Sequence, residues 1–247
     1  MRLLLPPSET KATGGGGPPL DFSTLGFPAL TAIRRELVTA LTALANDPER
    51  ARAVLGISPR QDEEIERNRS LETSATCPAI ERYTGVLYDA LGANTLPRRA
   101  RTRAARTVVI ASALFGALRP DDMIPAYRLS GTADLPGVGK LSHRWRPELA
   151  ATLSGEGLII DLRSAAYVAL APLPNAIRLR VIGADGRSIS HHNKAAKGRL
   201  VRAFLECPRI PRRIDDLASA AAPHGLQLSR VGPLEVELRW SGGLTPR

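Results

Sequence analysis

The chain has 247 residues, 43% of them hydrophobic, and 34 Lys and Arg against 24 Asp and Glu leave a formal net charge of +10. This fits one domain with a sizeable core; recurring Leu, Ile, Val and Ala exclude a disordered chain, and no apolar stretch nears the length of a membrane span. The apolar start, Met1 to Leu5, is too short for a secretory signal, so a cytoplasmic location is expected, and the distant Cys77 and Cys207, outside any CxxC pair, exclude a disulfide framework or a zinc site.

In chain order, Arg2–Leu5 reads as a short buried strand broken by Pro6-Pro7, followed by a polar loop through Ser8, Lys11 and the Gly14–Gly17 run. Apolar spacing at Leu30, Ile33, Leu37, Leu41 and Leu44 predicts a helix over 28–45, and Asn46-Asp47-Pro48 caps a short second one. A charged helix is expected from about Ser58 to Arg69, another over 78–91, and a third over Arg98–Arg106. The β-branched run Thr107–Ser112 suits a central strand, and Leu114–Ser130, rich in Gly, Pro and aromatics, suits a long functional loop. There follow a helix over Trp145–Leu153, a buried strand over Gly157–Asp161, a hairpin of 176–182 with 187–190, and helices over Lys194–Glu206 and Asp215–Ala222. The last expected pair is a hairpin of Leu226–Val231 with Leu234–Trp240. Helices and strands alternate without a strict βαβ rhythm, so the expected class is α/β (mixed α+β), one domain over 1–247 with a mixed central sheet flanked by helices.

The charge is uneven. Residues 94–146 carry +7 and residues 176–213 carry +8, whereas 1–93, 147–175 and 214–247 are each slightly acidic. Two such segments attract a polyanion if they meet in space, and are solvated faces if they do not. The thirty arginines contrast with four lysines, Lys11, Lys140, Lys194 and Lys197. A lysine can shed its proton on burial and serve as base or Schiff-base donor, which arginine cannot, so Lys11 and Lys194 are candidate catalytic residues.

Three further stretches could carry chemistry. Leu135-Pro136-Gly137-Val138-Gly139-Lys140 has the glycine spacing of a helix–hairpin–helix turn, which brings backbone N–H groups and Lys140 to a phosphate, and equally that of a plain turn. Arg119, Tyr127 and Arg128 could cradle an anion or stack on a base, or Arg119 could pair internally with Asp122. His191-His192-Asn193-Lys194-Ala195-Ala196-Lys197 opens a helix with two lysines on one face, which hints at an anionic ligand, while adjacent histidines lack metal-ligand spacing. Neither Ser8 nor Ser112 has a GxSxG context, and no metal or cofactor is expected.

PPSETK, RYTGVLYDAL, SALFGALRPDDMIPAYRL, the Trp145 region, LIIDLRSAAY and HHNKAAKGRLVRAFLE occur in an order that resembles the peroxide stress protein YaaA family, over nearly the whole chain. The resemblance implies a single mixed α/β domain of unusual topology with a basic cleft. It also implies a part in the hydrogen peroxide response, in limiting free iron and the DNA damage that follows, and in DNA binding. Lys11, Arg119, Tyr127, Arg128, Lys194 and Lys197 match recurring polar positions of that family, and no catalytic assignment comes with them. The expected partner is therefore duplex or distorted DNA, with Ser8 and Lys140 joining those six residues as anion contacts, and no membrane. The alternative is an enzyme acting on a nucleotide, nucleoside or other anionic small molecule through Lys11 or Lys194.

Overall fold

The computed structural model describes residues 1–183, 186 and 193–240. Its centre is built by the two most apolar runs. Strand β1 (Arg2–Leu5) ends where Pro6-Pro7 can no longer donate to a ladder, and Leu3, Leu4 and Leu5 are fully buried.

The chain then builds a helical layer. It comprises α1 (Thr31–Leu44), α2 (Pro48–Leu55) and α3 (Glu63–Arg69), a two-residue strand β2 (Cys77–Pro78), and then α4 (Ala79–Arg82), α5 (Val86–Leu91) and α6 (Arg98–Thr107). The apolar stripe of α1 buries Ile33, Leu37, Val38, Leu41 and Leu44, as its spacing requires. Helix α2 starts at Asp47, whose carboxylate accepts the Arg50 N–H, and stops at Gly56 in the left-handed region. The helix expected over 78–91 is interrupted: Thr10–Ala12 pairs with Arg82–Thr84, and Gly85, at φ +97°, restarts the chain as α5.

Next come β3 (Val108–Ser112), buried along its whole length, and β4 (Gly116–Leu118) and β5 (Met123–Ile124), two short strands inside the stretch expected to be loop. Strands β6 (Asp134–Leu135) and β7 (Gly139–Lys140) form a small antiparallel hairpin. They lead into α7 (Leu141–Leu153), which begins a turn before the expected start at Trp145. The Trp145 indole is wholly buried and its Nε1 donates to the Ala113 carbonyl at 2.8 Å. Strand β8 (Ile159–Asp161), α8 (Ala165–Val168), β9 (Ile177–Ile182), α9 (Asn193–Glu206), α10 (Asp216–Ala221), β10 (Gln227–Gly232) and β11 (Glu235–Arg239) complete the chain. The expected partner of β9 at 187–190 lies outside the described residues, as do His191 and His192, whereas the β10–β11 hairpin is present.

Among the described residues seven strands form one mixed sheet in the order β10-β11-β9-β8-β1-β3-β4. The five inner strands are parallel, and β10 and β4 add antiparallel edges. Both faces are covered over β1 and β3, which explains why they read as unbroken apolar runs, whereas β9 leaves Arg178 and Arg180 exposed. Helix α9 lies directly against α5. A Cβ on Gly198 would sit 2.2 Å from the Leu87 carbonyl oxygen, so only glycine permits this approach.

Among the described residues four arginines are part of this interior rather than of its surface. Arg34, Arg82, Arg103 and Arg163 are all buried, and each donates to main-chain carbonyls. Arg82 alone joins Ile124 to the glycine-rich loop at Ala12 and Gly14, and Arg103 caps the C-terminal carbonyls of α9 at Leu205 and Cys207. Among the described residues no helix is long and apolar enough to cross a membrane.

Candidate functional site

The sheet grows from β1 in two directions. Strands β3 and β4 extend it one way, and β8, β9, β11 and β10 the other. The strand order thus switches direction between β1 and β8, and open α/β sheets place ligands in the crevice outside the carboxyl ends of strands at such a point. Ser8–Lys11 follows β1, Ser112 ends β3, and Asp161 ends β8.

Lys11 occupies this edge. Its Nζ donates to the main-chain carbonyls of Ser8 and Glu9 at 3.2 and 3.3 Å, and lies 4.3 Å from the ring centre of Tyr127 and 5.5 Å from that of Tyr83. No carboxylate forms an ion pair with it among the described residues. Burial is the main reason its pKa falls to about 7; Arg128 pushes the same way, against Glu64 and Glu9. Beneath it runs a chain of hydroxyls, Tyr83 to Tyr127 to Ser112, each link 2.7 Å, with Ser112 Oγ accepting the Phe115 N–H. Burial drives both phenols well above the ordinary tyrosine range, so they remain protonated donors.

Arg128 is held from behind. The carboxamide of buried Asn68 donates to the Arg128 carbonyl and accepts its N–H, both at 2.8 Å, in the manner of a neighbouring strand. Among the described residues the guanidinium is left with one hydrogen-bonding contact, 3.3 Å to the exposed carboxylate of Glu9. Tyr88 completes the wall by donating to the Pro6 carbonyl at 2.9 Å. On the β8 side, Asp161 and Arg163 form a bidentate pair with side chains 7% and 0% exposed. Lys197, one turn into α9, donates to the Leu162 carbonyl at 3.0 Å, and burial lowers its pKa against the pull of Asp161. Asp161, Arg163, Arg178 and Lys197 line a cavity of about 370 Å³.

The expected residues divide accordingly. Ser8, Lys11, Tyr127 and Arg128 meet at the carboxyl edges of β1 and β3, and Lys197 at that of β8. Arg119 does not join Tyr127 and Arg128. Strand β4 runs back along β3, and the Arg119 guanidinium lies over Phe27 at 5.7 Å, in a separate pocket with Gly26 and Pro28. Nor does it pair with Asp122, whose carboxylate instead accepts the main-chain N–H groups of Arg119 and Gly26. Lys140 is exposed in the β6–β7 hairpin, and no helix leads directly into that hairpin; Gly137 lies in the turn Leu135–Val138 and Gly139 in β7, so the stretch is a plain β-hairpin and not a helix–hairpin–helix. Lys194 is exposed in the first turn of α9, a turn before Lys197. Tyr83, Glu9, Asn68 and Ser112 were not singled out as contacts by sequence. One signal was available: an aromatic-poor chain spends its four tyrosines at 83, 88, 127 and 167, and three of them stand within this wall.

A second feature answers where the charge goes. Helix α6 packs on α9, and beyond the α9 C-terminus an open groove of about 830 Å³ is lined by Arg99 from one basic segment and Arg209 and Arg212 from the other. The acidic groups beside it are already engaged. Asp215 pairs with Arg230, and Asp216 accepts the main-chain N–H groups of Arg212 and Arg213. Among the described residues no cluster of three or more His, Cys, Asp and Glu is present.

Residues 1–228 match the family model described as peroxide stress protein YaaA. The chain belongs to this family. A UPF0246 protein of Streptomyces coelicolor is 42% identical over 251 residues, covering 98% of this chain and 96% of its own. A UPF0246 protein of Corynebacterium efficiens is 44% identical over 235 residues, covering 92% and 94%. A more distant UPF0246 protein of Salinispora tropica is 29% identical over 204 residues, with 76% of each covered. Both the crevice and the arginine groove lie inside the matched span, so each belongs to the part of the chain that defines the family.

Proposed function

We propose that this peroxide stress protein binds duplex or distorted DNA without sequence preference in the arginine groove, and thereby limits iron-linked oxidative damage to DNA. The observation that carries this reading is the convergence of the two basic segments on one open groove, with Arg99, Arg209 and Arg212 facing it. Three guanidinium groups on one concave surface neutralise phosphates and release counterions, which needs no base contact. The groove is open rather than enclosed, as a polymeric ligand that enters and leaves sideways requires. In this reading the phosphate contacts are Arg99 of α6 and Arg209 and Arg212 of the segment after α9, while Lys194 and Lys197 stand at the other end of α9, outside the groove.

The test is one of location. Hydrogen exchange with and without a 20-base-pair duplex should show protection concentrated in 98–106 and 207–216. Protection confined to 8–17 and 161–168 would move the DNA to the crevice and sink the groove assignment.

A second reading, an enzyme acting on an anionic small molecule, is favoured by one feature only: the half-buried Lys11 amine beside Tyr127 and Arg128.

A further inference from the structure

The crevice holds a group that DNA binding in the groove does not use. We propose that Lys11 is a carbonyl-capturing amine, and that the carboxyl edge of β1 and β3 takes a small aldehyde or ketone that also carries a carboxylate or phosphate.

Three observations lead there. A neutral amine has two N–H bonds and one lone pair. Lys11 Nζ has two hydrogen-bond acceptors, the carbonyls of Ser8 and Glu9, so both N–H bonds are accounted for and the lone pair is left for an electrophile. No carboxylate forms an ion pair with Nζ among the described residues; the rings of Tyr83 and Tyr127 and the two carbonyls would hold a cation, but their wall also strips water from the amine, and that desolvation outweighs their attraction and leaves it able to shed its proton and act as a nucleophile. The third observation concerns the anion. Arg128 flanks the same Glu9 that binds Nζ through its carbonyl, and among the described residues it has one exposed carboxylate at 3.3 Å to give up. A ligand carboxylate or phosphate can displace Glu9 and hold the carbonyl carbon beside the amine.

The step balances without an oxidant or reductant. Nζ attacks the carbonyl carbon, the C–N bond forms, and the two amine protons leave with the carbonyl oxygen as water, giving an imine that takes a proton from solvent. A small molecule is favoured over an aldehyde carried on DNA because the amine stands half-buried among tyrosines, away from Arg99, Arg209 and Arg212.

The chain suits a direct test, since it has only four lysines and one α-amine. The full-length protein would be treated at pH 6.5 with cyanoborohydride and either glyoxylate, glyceraldehyde 3-phosphate or acetaldehyde, and the adducts located by peptide mass spectrometry. Lys11 should be modified at least about 10-fold faster than the exposed Lys140 and Lys194, because burial brings the pKa of its amine down to about 7 and Arg128 holds the anionic probes beside it. Arg128→Met should slow capture of the two anionic probes several-fold and leave acetaldehyde unaffected; its backbone clamp to Asn68 is retained, so the fold should survive. Reaction at Lys11 no faster than at Lys140 would overturn the proposal. So would equal slowing of all three probes, or capture at Lys11 of a duplex bearing an abasic aldehyde in preference to the small probes. None of these results depends on whether DNA binds the groove.

Discussion

Replacing Lys11 by Met exchanges a half-buried amine for an apolar side chain of similar length, and the consequence should depend on pH in a defined direction. In the folded protein this amine titrates near 7, against 10.5 in an ordinary setting. Below pH 7 both folded and unfolded chains carry the proton, and the folded state bears the whole cost of a desolvated cation. Between pH 7 and 10.5 the folded chain has shed its proton while the unfolded chain still holds it, so wild-type stability rises with pH. At about 1.4 kcal/mol per pH unit the full difference is about 5 kcal/mol. Lys11 is half-buried, however, and solvent screening reduces the observable change to roughly 1–3 kcal/mol. Lys11→Met has no proton to lose, and forfeits its contacts with Ser8, Glu9 and Tyr127 by an amount that varies little with pH. The slope is therefore the readout. Urea denaturation of both proteins at pH 6, 7.5 and 9 should show the wild type gaining on Lys11→Met as pH rises. Parallel profiles would refute a desolvated amine at this position.

Two substitutions test the framework around the crevice. Gly198→Ala forces a methyl group to within 2.2 Å of the Leu87 carbonyl and 2.9 Å of Ala90 Cβ, so α5 and α9 must separate. The cost should be about 3 kcal/mol, seen as a clear drop in thermal midpoint; an unchanged midpoint would contradict the packing. Asp161→Asn leaves the fully buried Arg163 guanidinium without its counter-charge and should cost about 3–5 kcal/mol in urea denaturation. Adding Arg163→Met should recover much of that loss, and a single-variant cost under about 1 kcal/mol would show that the pair is not structural.

Strands β1, β3 and β8 were legible because parallel strands covered on both faces demand runs such as Leu3-Leu4-Leu5, Val108-Val109-Ile110 and Ile159-Ile160, whereas β9 and β11 interleave charged with apolar residues. Helix 78–91 was misread because Ile80, Leu87 and Leu91 keep helical spacing, yet Tyr83 and Thr84 are claimed by long-range pairing with Lys11 and Thr10. Lys11 stood out by the rarity of lysine. Its setting did not, since the Tyr83–Tyr127–Ser112 chain joins three distant segments through tertiary register alone. Charge counting located the two basic segments but treated all arginines alike. Arg103 is consumed inside as a cap on α9, while Arg99, Arg209 and Arg212 face the groove, and only burial separates them. The loop after β4 misled for the same reason: Arg119 and Arg128 are nine residues apart in sequence, but the reversal of β4 sends Arg119 to a different pocket.

The salt dependence of duplex DNA affinity bears most directly on the groove. Three phosphate contacts, from Arg99, Arg209 and Arg212, correspond to a slope of about −2.7 in log K against log salt, or about a 40-fold loss of affinity between roughly 50 and 200 mM. Arg209→Ala with Arg212→Ala should bring that slope to about −0.9 while the fold is kept, since both side chains are exposed. A wild-type affinity indifferent to salt, or a double variant with the wild-type slope, would contradict DNA binding in this groove.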